Sequence, residues 1–330
     1  MRTIEYKGKV IETDKDYDWV PDELCEELRR EFYKKPSIDK VEKNLKTIHK
    51  GGVKVTEVTN YFFKDLIAKV VFHDRRWSIE EVLENDEILK LCYCFTQGNE
   101  KFFPKTNPPI KNLETAFRVG CARATRKASN FPMKTIDSIL KQYNVNDVYY
   151  DYSCGWGVRL LSAMKNEVEY LGTDPNYLLV DRLNEMKSLY DKVNNVTTKT
   201  DIRKQGSEKF IPEWEGRVGV AFSSPPYFGL EDYKVGEQSY QEGMSYNDWL
   251  ENYLRPTIKN SKRYLIQEGH FLINIKDYGK FPLVKDTLRL CKEEGLELVA
   301  THTLNNITRF NTLGEKVNNN EDIFVFRKVI

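Results

Sequence analysis

The sequence predicts an open α/β fold, a mostly parallel sheet with helices on both faces, preceded by a mainly helical region. Three observations predict it. Val218 to Phe222 is a short apolar run without alternation, which marks a strand covered on both faces. Asp147 to Leu160 passes from a β-rich run through the tight turn Gly155-Trp156-Gly157 into a helix-forming segment. Val168 to Thr173 is a second strand-like run that ends in an acid, Asp174, about twenty residues after the glycines.

Length and composition set the frame. At 330 residues the chain holds two domains or one large one, and 40% hydrophobic with 31% charged residues is ordinary for a soluble globular protein. A formal net charge of +1 excludes a chain-wide nucleic-acid signature, so any such contact must come from local patches. The six cysteines show no metal-ligand spacing, and Cys92-Tyr93-Cys94 lies in an apolar run that reads as core. Neither a signal peptide nor a membrane-length apolar span is visible, so the expectation is a reduced, cytoplasmic protein that needs no membrane and no metal.

Residues 1–130 read as a mainly helical domain. Pro21 to Lys35 is an acidic-to-basic helix, Ser37 to Lys50 a second one stopped by Gly51-Gly52, and Val58 to Phe72 a third. Ser78-Ile79-Glu80-Glu81 is a capping box opening a fourth that runs to about Leu91. Lys101, Lys105, Lys111, Arg118, Arg123, Arg126 and Lys127 face a single acid, Glu114, so this stretch is either a phosphate-contacting segment or a solvated helix face. The cluster His73-Asp74-Arg75-Arg76-Trp77 reads as a loop anchored by a buried tryptophan.

Residues 131–330 carry the chemistry. Phe131-Pro132 precedes a helix through about Tyr143, and Pro175 opens another to about Val193. Gly155 and Gly157 let backbone approach a ligand where a Cβ would intrude, and the following helix offers free N–H groups. Asp151 can pair with a cationic amino group, and Asp174, at the end of the second strand, can accept from ribose hydroxyls. A third glycine at dinucleotide spacing is missing, as is a phosphate-loop Gly-Lys-Ser/Thr. A polar third strand lies near Ile202, followed by Gln205-Gly206-Ser207-Glu208. The fourth strand runs into Ser223-Ser224-Pro225-Pro226-Tyr227. Prolines fix their own φ and hold the preceding residue extended, so Ser224 stands on a stiff elbow past a strand's carboxyl end. Its hydroxyl and the Pro225 carbonyl can both accept from one exocyclic –NH2, and Tyr227 offers a flat face for a heterocycle. Phe228 to Gly243 is a polar loop, either a cover for the substrate or a plain connection. A fifth strand covers Gly269 to Asp277, and Leu296–Thr303 with Asp322–Arg327 forms a final antiparallel pair. His270 and His302 read as strand residues, not ligands.

Ser224-Pro225-Pro226-Tyr227 resembles the catalytic motif of the S-adenosylmethionine-dependent DNA amino-methyltransferases. Asp151-Tyr152-Ser153-Cys154-Gly155-Trp156-Gly157 is similar to that family's Asp-x-Phe-x-Gly-x-Gly loop, with Ser153 where Phe is common. The resemblance covers about residues 131–330 and implies a Rossmann-like seven-stranded class I methyltransferase sheet. It implies S-adenosyl-L-methionine as cofactor, held by Asp151, Ser153, Gly155, Gly157 and Asp174, by Ser207 and Glu208 beside the adenine, and by Phe131 near the amino-acid end. It implies Ser224, Pro225, Pro226 and Tyr227 as catalytic residues, and DNA as partner with the target base flipped out, as in restriction-modification. Serine in the first position leans towards N4 of cytosine over N6 of adenine. Target recognition then falls to residues 1–130, because little chain follows the fourth strand. Asn107-Pro108-Pro109-Ile110 imitates the adenine motif but lacks the aromatic and follows no buried strand. An RNA amino-methyltransferase shares every one of these residues; a protein-amide methyltransferase, a non-catalytic DNA-binding protein and a nicotinamide oxidoreductase fit less well.

Overall fold

The computed structural model describes residues 1–73, 77–97, 124–241, 243–304, 309–310, 316–317 and 321–329. The strands in chain order are β1 (Arg2–Tyr6), β2 (Lys9–Thr13), β3 (Val71–Phe72), β4 (Val148–Asp151), β5 (Glu169–Thr173), β6 (Thr200–Arg203), β7 (Val218–Ser223), β8 (Glu231–Asp232), β9 (Leu265–Ile275), β10 (Leu296–Leu304), β11 (Arg309–Phe310), β12 (Lys316–Val317) and β13 (Glu321–Lys328). The α-helices are α1 (Asp22–Tyr33), α2 (Ile38–His49), α3 (Thr56–Lys69), α4 (Ile79–Glu84), α5 (Asp86–Gln97), α6 (Met133–Tyr143), α7 (Val158–Lys165), α8 (Tyr177–Asn194), α9 (Tyr246–Trp249), α10 (Arg255–Tyr264) and α11 (Leu283–Glu293).

Two compact units form. One comprises Met1–Ser37, Phe63–Ser129 and Gly229–Val235; the other comprises Ile38–Phe62, Asn130–Phe228 and Gly236–Ile330. The division expected near residue 130 is therefore more interleaved than the sequence suggested. Helix α2 belongs with the large sheet because its apolar stripe, Val41, Leu45 and Ile48, is fully buried there, and His49 Nδ1 lies 2.9 Å from the Tyr190 hydroxyl of α8. The loop after Phe228 leaves that unit, pairs β8 with β3, and returns.

In the smaller unit the hairpin β1–β2 packs with α1, α4 and α5 around Ile4, Cys25, Trp77, Ile88 and Leu89. Trp77 is buried and its indole donates to the Tyr6 carbonyl at 3.1 Å. Ser78 and Glu81 make the capping box in both directions. The expected single helix breaks at Asn85, whose extended backbone ends α4 and whose side chain caps α5 by accepting from the Ile88 N–H at 2.9 Å. Cys92 and Cys94 are buried, as the apolar run implied. The decoy Asn107–Ile110, the middle of the His73–Trp77 cluster and most of the basic stretch between Lys101 and Lys127 lie outside the described residues.

The larger unit is built on one seven-stranded sheet in the order β10-β13-β9-β7-β4-β5-β6. The pairs β4–β5, β5–β6, β4–β7 and β7–β9 are parallel, and β13 runs antiparallel to both β9 and β10. Every residue of β7 is buried, which is what a central strand flanked by parallel neighbours requires. The strand order reverses at β4, whose neighbours are β5 and β7. An open parallel sheet parts its crossover connections at such a place and leaves a crevice at the carboxyl ends. Those ends carry Asp151, Asp174 and the Ser223-Ser224 elbow.

Local chemistry explains the helix boundaries that differ from expectation. Asn176, not Pro175, caps α8, accepting from the Leu179 N–H at 3.2 Å. The helix expected from Ser245 onward contains a wide π turn at Leu250–Leu254. Pro256 has no N–H, and its ring would meet the carbonyl four residues back. The wider turn accommodates it, with the Arg255 N–H reaching the Leu250 carbonyl. Asp137 ties α6 to α7 by accepting from Ser162 Oγ at 2.6 Å and Lys165 Nζ at 2.5 Å.

Candidate active site

Three strand ends build the site. β4 ends in Asp151, and the chain then turns through Tyr152-Ser153-Cys154-Gly155-Trp156-Gly157 into α7. Gly155 and Gly157 have φ of +56° and +78°, the left-handed region that side chains resist. The turn is held from beneath by an ion pair. Arg159 Nε donates to Asp151 Oδ2 at 2.7 Å, the Tyr170 hydroxyl donates to the same oxygen at 2.8 Å, and the Ser153 N–H donates to Oδ1 at 3.3 Å. Arg159 Nη2 also donates to the Ser153 carbonyl. Burial by itself lowers the Arg159 guanidinium, but Asp151 beside it outweighs that and raises it above the usual range.

This corrects the expectation for Asp151. Its carboxylate is 0% exposed and committed to Arg159, Tyr170 and the loop backbone, so it shapes the turn and does not present itself to a cationic ligand. Arg159 is a residue the sequence reading misses; its signal is a lone cation within an otherwise apolar first turn, Val158-Arg159-Leu160-Leu161. Cys154 is buried, which pushes its thiol well up, so it stands as a neutral thiol and not a nucleophile.

Asp174 lies one residue beyond β5, partly exposed, directly across the turn. Its Oδ2 accepts from the Gly155 N–H at 3.4 Å and its Oδ1 from the Asn176 N–H at 3.0 Å. Desolvation raises this carboxyl to about 7, only partly offset by those two N–H groups. A carboxylate beside a glycine turn that lacks enough donors is one that two vicinal hydroxyls would satisfy.

The elbow follows β7. Ser223 is buried and its Oγ donates to the Ser153 carbonyl at 3.2 Å, so the glycine turn and the elbow are directly tied. The buried Tyr152 hydroxyl adds a second tie, donating to the Leu272 carbonyl at 2.8 Å and lying 3.2 Å from the Ser223 carbonyl. Ser224 is partly exposed, and its hydroxyl has no hydrogen-bond partner among the described residues. Pro225 is buried, Pro226 partly so, and Tyr227 is 7% exposed. The Phe131 ring meets the Phe222 ring edge-on at 5.4 Å, just before the elbow, so the structure brings Phe131 to the same strand end.

The turn after β6 is placed less as expected. Ser207 is buried and its hydroxyl pairs with Thr257 Oγ1 at 2.8 Å, while its carbonyl accepts from Asn260 Nδ2 at 3.0 Å. Its side chain therefore anchors the turn to α10. The partly exposed Glu208 folds its carboxylate back over Gly206, where an added Cβ would lie 2.1 Å from Oε2. The sequence also gave no warning of Tyr253. The π turn brings its hydroxyl to 3.4 Å from Ser153 Oγ, and burial raises that hydroxyl's pKa. His270 and His302 lie in β9 and β10, as expected, with His302 Nε2 2.5 Å from the Tyr143 hydroxyl.

No family model matches the sequence, and no curated protein matches it. Solved structures do resemble it. A TehB-like SAM-dependent methyltransferase from Corynebacterium glutamicum is 18% identical, with 60% of this chain and 86% of that one covered at a TM-score of 0.39. A SAM-dependent methyltransferase from Methanosarcina mazei is 11% identical over 58% of this chain and 97% of its own, at 0.41. Geranyl diphosphate methyltransferase, solved in complex with SAM, is 11% identical over 68% and 93%, at 0.42. These similarities are slight, and the strand order speaks for itself: a parallel sheet with one antiparallel strand inserted between its fifth and sixth members is the Rossmann-like class I methyltransferase fold.

Proposed function

We propose that this chain transfers a methyl group from S-adenosyl-L-methionine to an exocyclic amino group of a DNA base, with N4 of cytosine the favoured acceptor. One observation carries the reading: the Ser223 Oγ to Ser153 carbonyl contact at 3.2 Å, which sets the Ser224-Pro225-Pro226-Tyr227 elbow against the glycine turn. Donor and acceptor sites that must meet are thus built on adjoining strand ends.

The residues present fit the cofactor. Gly155 and Gly157 leave room for close approach, Asp174 lacks hydrogen-bond donors that a ribose diol would supply, and Ser153 and Phe131 border the same turn and strand. Asp151 serves through Arg159, Ser207 through Thr257, and Glu208 is the remaining acceptor at the third strand end. Bound there, S-adenosylmethionine supplies an activated methyl carbon, so the protein needs to position more than to activate. Ser224 Oγ and the Pro225 carbonyl accept hydrogen bonds from the two N–H groups of one amino group and so direct its lone pair. The stiffness of Pro225-Pro226 keeps both acceptors in place. Tyr227 offers its ring to a base drawn out of the helix, at a cost of a few kcal/mol of unstacking. Recognition of the surrounding sequence is assigned to residues 1–130.

The test is incubation with methyl-labelled cofactor and duplex DNA, followed by nucleoside analysis. Label in N4-methylcytosine is expected. Label only in N6-methyladenine transfers the reading to adenine, label only in competing RNA replaces DNA as substrate, and failure to bind the cofactor ends it.

A further inference from the structure

Arg159 is a buried charge beside the site that the methyl-transfer chemistry does not use. It is 7% exposed and reaches Asp151 through Nε at 2.7 Å. Its Nη2 donates to the Ser153 carbonyl, the same oxygen that accepts from Ser223 Oγ at 3.2 Å. That group also lies 3.2 Å from where a Cβ on Gly155 would stand. The Gly155 N–H in turn points at Asp174 Oδ2, 3.4 Å away. One guanidinium therefore ties Asp151, where the turn begins, to the Ser153 carbonyl within it, and lies alongside Gly155. Through the Ser153 carbonyl it borders the elbow, and through Gly155 it borders Asp174.

Accordingly, we infer that Arg159 is a positioning residue for cofactor binding: its planar fork holds the Ser153–Gly155 turn against Asp151 and so keeps the Gly155 N–H aimed at Asp174, the ribose acceptor. The inference rests on the reading that this site binds S-adenosylmethionine. Asp174 is flanked by Asp151, which raises its pKa, and by Arg159, which lowers it; the Cys154 thiol and the Tyr253 hydroxyl are the other titratable groups within its field. Lysine could replace the charge but not the fork, because a single ammonium cannot keep the planar donor pair aimed at both the Asp151 carboxylate and the Ser153 carbonyl.

The experiment is calorimetric binding of S-adenosylmethionine and S-adenosylhomocysteine to the full chain from pH 5.5 to 8.5. The wild-type protein is compared with Arg159→Gln, Arg159→Lys and the double variant Asp151→Asn/Arg159→Gln. Affinity of the wild type should rise with pH and level off above its midpoint. In Arg159→Gln the midpoint should move to higher pH, because Asp174 loses a neighbouring cation and the firm hold on its Gly155 N–H partner. In the double variant, which removes both charges, it should return towards the wild-type value. Arg159→Lys should keep the wild-type midpoint and bind more weakly, and it carries the test if the glutamine variant does not fold. A wild-type midpoint in Arg159→Gln, with affinity lost equally at every pH, reduces Arg159 to a structural residue and overturns the inference; so does wild-type affinity in Arg159→Lys. If the wild-type protein binds neither ligand, the cofactor reading itself fails, a result separate from the other two.

Discussion

Replacing Asp174 with Asn tests the proposed cofactor site at the acid that ends the second strand of its α/β units. The free carboxyl titrates at about 7 because desolvation outweighs its two N–H partners. A carboxyl raised above its unfolded value binds more protons in the folded state. Its contribution to stability is therefore greatest below pH 4 and is lost as pH rises through about 7. Ribose hydroxyls donate to the ionised form and reverse that penalty, so cofactor binding should release a proton below neutrality. With a midpoint near 7, affinity at pH 6 should be about tenfold below its plateau, and at pH 5 about a hundredfold below. Asp174→Asn should flatten this dependence. It should also cost about 1.5–3 kcal/mol of binding at pH 8, the worth of hydrogen bonds to a charged acceptor. The Tm of the free protein at pH 8 should stay level or rise, since an unfavourable charge is gone. Calorimetry in buffers of different ionisation enthalpy reads affinity and proton release together. Affinity of the wild type that is flat between pH 5.5 and 8.5, or an asparagine variant that binds like the wild type, would refute the reasoning.

Other perturbations separate the parts of the site. Ser224→Ala should lower kcat by about a hundredfold through lost alignment while leaving cofactor affinity intact; equal loss in both measurements would move Ser224 out of the acceptor site. Ser223→Ala removes the 3.2 Å tie to the Ser153 carbonyl, so it should loosen the elbow against the turn, and hydrogen exchange should quicken at Ser153 and Gly155 without unfolding. In Gly172→Ala the new Cβ would lie 2.7 Å from both Cys154 Sγ and the Tyr170 ring, so urea unfolding should show a loss of about 1–3 kcal/mol.

Much of this was legible in the sequence because the decisive signals are local. The unalternating apolar run Val218–Phe222 marks a covered strand, Gly155-Trp156-Gly157 after a β-rich run marks a tight turn, and two prolines stiffen whatever precedes them. The Ser78–Glu81 box fixed a helix start for the same reason. What escaped depends on partners distant in the chain. Asp151 looked like a ligand because Arg159, eight residues on, was not seen to turn back to it. Ser207 looked like an adenine contact because Thr257 is fifty residues away. The π turn needed Pro256 and the packing of Tyr253 together, and neither alone implies it.

The interleaving of the two units has a practical corollary for anyone dissecting this protein. The backbone changes unit after Ser37, Phe62, Ser129, Phe228 and Val235, so no single cut yields either half intact. A fragment beginning at residue 131 would discard Val41, Leu45 and Ile48 along with His49, stripping a cover from α8 and exposing apolar surface. Such a truncation should aggregate for reasons unrelated to catalysis; isolating the larger unit takes three changes together, a start at Ile38 and short flexible bridges in place of both Phe63–Ser129 and Gly229–Val235.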